Sequence, residues 1–351
     1  MPRGHKRPVR PIGTDPWMWG GVAALAAVDA AWGAASGLGV AIRTLLPSAA
    51  ACCAMMAVAW AYTTLRPRPE ISGLASSGAA FVAYTLAVVF LSYLVTGLGL
   101  PLIDDRLVAA DRAIGLDWRR AYDWVAGHRP AALALSAAYL SPIPQFVALL
   151  MILNARREAA RVRELVLLFV ATSLATVLLS GPFPAAGAFA AYGVHQDEPY
   201  LAQFAALRAG TMRAVDYADL QGLVQFPSFH MALAVSLAWA WRGMGRATPP
   251  LVALNALMAA ATPFCGGHHF ADLWGGAAVA AAAVAALRLR GGRAADDRRD
   301  VDEAAGGGGP GGEGVPLHLD GGPVLGLEVD GAEPGRHRRD DVRPQGVADD
   351  P

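Results

Sequence analysis

Long apolar stretches separated by short, arginine-bearing links dominate this chain. A helix needs about 20 apolar residues to cross a bilayer. Eight stretches approach or exceed that length, at 17–40, 45–65, 74–100, 130–153, 164–183, 229–247, 249–266 and 270–288. They predict an all-α fold, a polytopic membrane helical bundle of about eight spans. The first stretch is long, contains Asp29 and is followed quickly by another span. It is therefore expected to be a retained helix and not a cleaved signal. Only Arg242 to Pro250 separates the sixth span from the seventh.

Two segments break the pattern. Leu102 to Gly127 mixes Leu107, Val108, Ile114, Leu116, Trp118 and Trp124 with charges. It is expected to lie along the outer interface as amphipathic helix, a depth that aromatic residues favour. From 291 onward the apolar periodicity disappears, and glycines such as Gly306 to Gly309 interrupt acidic and basic runs. Such a segment buries too little surface to offset its ordering entropy, so 291–351 is expected to be a disordered cytoplasmic tail.

Composition agrees. Of the 351 residues 54% are hydrophobic and 17% charged, against roughly 25% charged in soluble domains. The formal net charge is zero, which removes any global electrostatic case for a nucleic-acid partner. Positive charge is almost all arginine, Lys6 being the only lysine. Arg3, Arg7, Arg10, Arg66, Arg68, Arg156, Arg157, Arg161, Arg163, Arg242, Arg246, Arg288, Arg290 and Arg293 fall on one side if there are eight spans. The positive-inside tendency then gives cytoplasmic N- and C-termini in a multi-pass plasma-membrane protein. Cys52, Cys53 and Cys265 have no zinc-type spacing and read as small apolar residues.

The candidate chemistry is two histidine-bearing stretches set in apolar surroundings, where ionisable side chains are costly and point to function. The first is Phe226-Pro227-Ser228-Phe229-His230 and the second Gly267-His268-His269-Phe270-Ala271-Asp272. His268 and Asp272 are four apart, so on a helix they share a face. The carboxylate fixes one imidazole nitrogen and leaves the other as a nucleophile. His269 points about 100° away and suits a substrate-contacting or interfacial role. Two antiparallel spans fit between His230 and His268, returning both to the same face, the extracytoplasmic one. Ser228 with Pro227 suits the start of the sixth span, where free N–H groups favour an anion. Arg208 and Arg213 precede it and are candidates for phosphate contact. No metal and no cofactor is required, because histidine and arginine supply nucleophile and charge.

These residues resemble the type 2 phosphatidic acid phosphatase superfamily. Pro227-Ser228-Phe229-His230 is similar to its second motif, and Gly267 to Asp272 to its third, with the His-x-x-x-Asp ending. The resemblance implies that His268 forms a phosphohistidine, Asp272 orients it, His230 is the general acid and Ser228 contacts phosphate. The usual first motif is absent. Ala261 and Thr262 stand where the third motif carries Ser-Arg. Those departures, the histidine pair, and the stretches Leu207 to Gly210 and Gly181 to Pro184 resemble the inositol phosphorylceramide synthase-like branch. Gly181 to Pro184 is a candidate wall of the site. The implied organisation is 1–73 with two extra transmembrane helices, 74–290 as the catalytic domain with a six-helix phosphatase-type core, and 291–351 as the tail. The implied activity is transfer of a phospho-headgroup from a membrane lipid to a lipid alcohol. The alternatives are a lipid phosphate phosphatase using water, and a silent lipid-binding or transport protein.

Overall fold

A computed structural model describes residues 15–306, with side chains through Arg290. The basic residues before Asp15 and the tail beyond Gly306 lie outside the described residues. One compact unit, Met1–Arg298, holds the bundle. Of the second, Arg299–Pro351, the described part continues the last helix to Gly306.

The chain forms α1 (Pro16–Ser36), β1 (Gly39–Val40), α2 (Ile42–Thr64), α3 (Pro69–Thr96), α4 (Asp104–Ala113) and α5 (Trp118–Gly127). Next come α6 (Arg129–Tyr139), α7 (Pro142–Ala155), α8 (Ala159–Ser180), α9 (Ala188–Tyr192) and α10 (Pro199–Arg208). The last part is β2 (Ala214–Val215), α11 (Phe229–Ala240), α12 (Thr248–Cys265) and α13 (Phe270–Gly306). The strands are a two-residue parallel pairing, Gly39 with Ala214 and Val40 with Val215. The fold is thus an all-α polytopic bundle. Proline opens α1, α3, α6, α7, α10 and α12, where its missing N–H costs nothing.

Six helices among the described residues are long and apolar enough to cross a membrane: α1, α2, α3, α8, Gly245–Cys265 and Phe270–Arg290. The fourth expected span is instead a pair, α6 and α7, bent by 44°. Pro142 and Pro144 follow the break and cannot continue the hydrogen-bond ladder across it. The sixth expected span is shorter than its apolar run. Helix α11 has 12 residues and measures about 18 Å. It stops because Gly243 and Gly245 adopt positive φ just beyond it.

Helix α11 nevertheless runs alongside much of α8. Arg161, near the start of α8, donates to the carbonyls of Ala240 and Arg242 at 2.8 and 2.7 Å. The other end of α11 shares a cavity with Thr176 and Val177, near the end of α8. The arginine end of the bundle is knitted by ion pairs: Arg163 with Asp15 at 2.5 Å, Arg242 with Glu164 at 2.5 Å, and Arg157 with Glu70. The short helices α4, α5, α9 and α10 gather at the opposite end, around the histidines.

Helix α3 is the most buried span. Its Tyr84 hydroxyl donates to the Val170 carbonyl at 3.0 Å and lies 2.9 Å from Ser173 Oγ. Phe81 stacks on Phe146 with centroids 4.3 Å apart, and Phe169 packs against both. Helix α2, by contrast, buries only Ala59, and its exposed Leu46, Val58 and Trp60 suit contact with lipid.

Candidate active site

The site is assembled where α11 and α13 begin. Ser228 is the N-cap of α11, its Oγ accepting from the Met231 N–H at 3.3 Å. The Ser228 N–H donates to the Asp272 carbonyl at 3.1 Å, tying the first histidine stretch to the second. This approach needs glycine on α13. A Cβ on Gly276 would sit 2.2 Å from the Ser228 carbonyl oxygen, and one on Gly275 would press on Phe226 and Pro227.

His268 is 3% exposed and lies in the turn before α13. Its Nδ1 is 2.8 Å from the Gln225 carbonyl oxygen and 3.3 Å from Asp272 Oδ2. A carbonyl oxygen only accepts, so the proton sits on Nδ1 and Nε2 carries the lone pair. Burial pushes the imidazole down to about 4, and the neighbouring His269 adds to this against the Gln225 hydrogen bond. The ring is therefore neutral at physiological pH. Asp272 Oδ2 also accepts from the His269 N–H at 2.8 Å, which holds the carboxylate in place.

His230 begins the second turn-facing wall. Its ring stacks on Tyr139 of α6 with centroids 4.2 Å apart, and Nδ1 lies 3.5 Å from the Tyr139 hydroxyl. His230 and His268 line one cavity of about 180 Å³ between α3, α8 and α11. Apart from the histidines its polar lining is hydroxyl and amide: Thr85, Ser92, Tyr139, Ser173, Thr176, Gln221 and Gln225. Among the described residues, no arginine or lysine lines it.

The second histidine of the pair has another task. His269 is fully buried, with Nε2 3.3 Å from Asp104 Oδ1 and Nδ1 3.9 Å from Asp111 Oδ2. It is absent from the cavity wall, so the expected substrate contact gives way to a brace between α4 and the start of α13. Asp111 accepts from the Phe270 and Ala271 N–H groups at 3.0 and 2.7 Å, capping α13. Asp104 accepts from the Ala186 and Gly187 N–H groups at 2.9 and 2.8 Å. Burial acts to raise the Asp104 carboxyl, but the hydrogen bonds from His269, Ala186 and Gly187 outweigh it and hold it below its ordinary range. At Asp111 burial prevails and pushes the carboxyl up. Trp118 is fully buried, sandwiched between Tyr122 and Tyr192, and its Nε1 donates to the His268 carbonyl at 3.0 Å. The Leu102–Gly127 segment thus forms two helices, α4 and α5, that support the site.

The remaining sequence candidates sit elsewhere. Ser228 is fully buried and its Oγ is committed to the cap, so it supports α11 instead of reaching the cavity. Arg208 donates to the Leu100 carbonyl at 2.8 Å, joining α10 to the end of α3. Arg213 lines a different cavity on the other side of α3. That helix separates the two: Ala83, Leu86, Ala87 and Phe90 face the Arg213 cavity, whereas Thr85, Val88, Val89 and Ser92 face the histidines. Pro184 accepts from the Ile103 N–H at 2.9 Å, and Phe183 meets Phe226 edge-on at 6.2 Å. The Gly181 to Pro184 stretch therefore backs the first histidine motif without lining the cavity. Among the described residues no group of three or more histidine, cysteine or acidic side chains is arranged to hold a metal ion.

Within this multi-pass helical bundle, His268, hydrogen-bonded to Asp272, shares one cavity with His230. The family profile of the PAP2 superfamily matches residues 105–286, and the chain belongs to that superfamily. No curated protein and no solved structure is significantly similar to the chain. The matched region contains both histidine motifs and excludes α1, α2 and α3.

Proposed function

We propose that this protein transfers a phospho-headgroup from a membrane phosphodiester lipid to a lipid alcohol, through a phosphohistidine on His268. The lone pair on His268 Nε2 attacks phosphorus, an N–P bond forms, and the P–O bond to the leaving alcohol breaks. His230 gives its proton to that oxygen. In the second half the acceptor hydroxyl attacks phosphorus and the N–P bond breaks. His230 takes the acceptor's proton and is restored. Asp272 and the Gln225 carbonyl keep the His268 tautomer fixed throughout.

The observation that carries this reading is the pair of histidines on a cavity wall that has no arginine or lysine among the described residues. A phosphomonoester brings a charge of about −1.5 to −2. A phosphodiester brings one, which is less costly to desolvate in such a cavity. Its charge is met by the N-terminal N–H groups and dipole of α11, whose Phe229 and His230 line the cavity. The corresponding groups of α13 are already taken by Asp111. Arg208 and Arg213 are not required in this scheme. The inositol phosphorylceramide synthase-like branch is the closest description of the chemistry, with the cavity facing the extracytoplasmic side.

The superfamily membership favours a second reading, hydrolysis of a lipid phosphate by water. One experiment separates them. Membranes carrying the protein or His268→Ala are supplied with phosphorus-labelled phosphatidylinositol or phosphatidic acid, with diacylglycerol present. Label entering a new lipid from phosphatidylinositol, only with His268 intact, supports transfer. Label released as inorganic phosphate supports hydrolysis. Equal activity in His268→Ala overturns both.

A further inference from the structure

The Arg213 cavity measures about 950 Å³ and is walled by α1, α2 and α3. That is the upper end of the roughly 300–1,000 Å³ range of ligand pockets. Its walls are apolar, with Val22, Leu45 and Phe90 among them, and Ile42 on its edge is 62% exposed, so it opens to the surface. One side chain does not fit an empty apolar space. Asp29 lines the cavity, is 5% exposed, and its Oδ1 has no hydrogen-bond partner. A buried carboxyl without partners is costly, and within a span it marks a site. Arg213 offers no relief. Its Nη1 lies by Gly37, eight residues further along α1 and about 12 Å away along the axis. The Tyr217 hydroxyl is already donating to the Leu86 carbonyl at 2.9 Å.

We propose that this cavity binds a membrane lipid alcohol, with its hydroxyl on Asp29 and its chains against α1, α2 and α3. A hydroxyl both donates and accepts, so it satisfies the carboxyl in either protonation state. An anionic headgroup at Asp29 would meet a like charge. An ammonium lipid would bring its charge into a cavity that Arg213 also lines. A neutral two-chain alcohol such as diacylglycerol meets neither obstacle and fills the apolar volume. The walls lie outside the family-matched residues apart from Arg213 and Tyr217, so the site is built chiefly by the helices that precede the matched region. It stands whether or not the proposed reaction is correct.

The full-length protein in lipid nanodiscs is irradiated with diacylglycerol carrying a diazirine in its acyl chain, and the labelled peptides are mapped. Label is expected in α1, α2 and α3. It should fall about fivefold in Asp29→Leu, the effect of one lost hydrogen bond, and persist in Asp29→Asn. Ala49→Phe, which fills the cavity and leaves Asp29 intact, should also remove it, so the test does not depend on one variant folding. Undiminished label in Ala49→Phe overturns the proposal. So does stronger labelling by the matching phosphatidic acid probe that is lost in Arg213→Ala, which would make this an anionic-lipid site. Label confined to the histidine cavity overturns it as well.

Discussion

The indole N–H of Trp118 holds the backbone carbonyl of His268 at 3.0 Å, so a residue outside both histidine motifs fixes the main chain of the proposed nucleophile. Trp118→Phe keeps much of the stack on Tyr122 and Tyr192 but leaves that buried carbonyl without its donor. The penalty for such a group is about 1–3 kcal/mol. We expect kcat to fall roughly ten- to a hundredfold, with little change in KM and an unchanged elution profile in detergent. A KM effect alone would mean that Trp118 acts on the substrate instead.

Asp111 and His269 form the second support. Asp111→Ala frees the two N–H groups at the start of α13 and should cost about 1–2 kcal/mol of stability, read as a lower midpoint in a thermal melt. Asp111→Asn keeps one acceptor oxygen and should recover part of the loss. His269→Gln should lower kcat by destabilising the brace, and combining it with Asp104→Asn should give less than the sum of the two effects. Strict additivity would show that His269 and Asp104 act separately.

Gly276→Ala is expected to be among the most damaging single-methyl changes. The added Cβ would meet the Ser228 carbonyl oxygen at 2.2 Å, which forces α11 and α13 apart. Overpacking of this kind costs about 1–3 kcal/mol. Activity and thermal stability should fall together. Gly20→Ala, where nothing lies within 4 Å, should leave both unchanged.

The pH profile tests the state of His268. The proposed nucleophile must be neutral, and burial pushes its pKa down from 6.5 to about 4. Lowering the pH through 6.5 therefore leaves it unprotonated. Its loss of function should begin only as the pH approaches about 4. Covalent labelling of His268 in single-turnover experiments should persist well below pH 6, and loss of labelling around pH 6.5 would contradict this environment.

Arg208→Ala should reduce stability more than turnover, because its guanidinium serves the Leu100 carbonyl at the end of α3. A rise in KM of tenfold or more with an unchanged melt would restore it as a phosphate ligand, that factor being about 1.4 kcal/mol of binding.

Apolar run length was enough to place most of the bundle, since a span is a local property of about 20 residues. It overestimated α11, where glycine geometry after Trp241 ends the helix inside an apolar run. It also missed the break at Ser141, because composition averages over a bend. The pairing of His268 with Asp272 was legible from their four-residue spacing, although His268 lies in the turn before α13 and not on its helical face. The supports were not. Gln225, Trp118 and Asp104 reach the two histidines from 43, 150 and 165 residues away, and no helical period connects such positions. Asp111 offered a faint signal, falling four residues after Leu107 and so on the same face of α4. Charge alone pointed to Arg208 and Arg213. What charge cannot reveal is that a span stands between Arg213 and the histidines.

That span, α3, makes its register an unusually strict property. Successive residues turn by about 100°, so its alternate faces serve two separate chambers. Inserting or deleting one residue between Ala79 and Ala83 would rotate every later side chain by that angle. Phe90 would swing away from the chamber beside Asp29, and the hydroxyls of Thr85 and Ser92 would leave the histidines. Length changes are therefore tolerable at the ends of α3 and not in its middle, and the helix acts as an indexing shaft that keeps both compartments in phase.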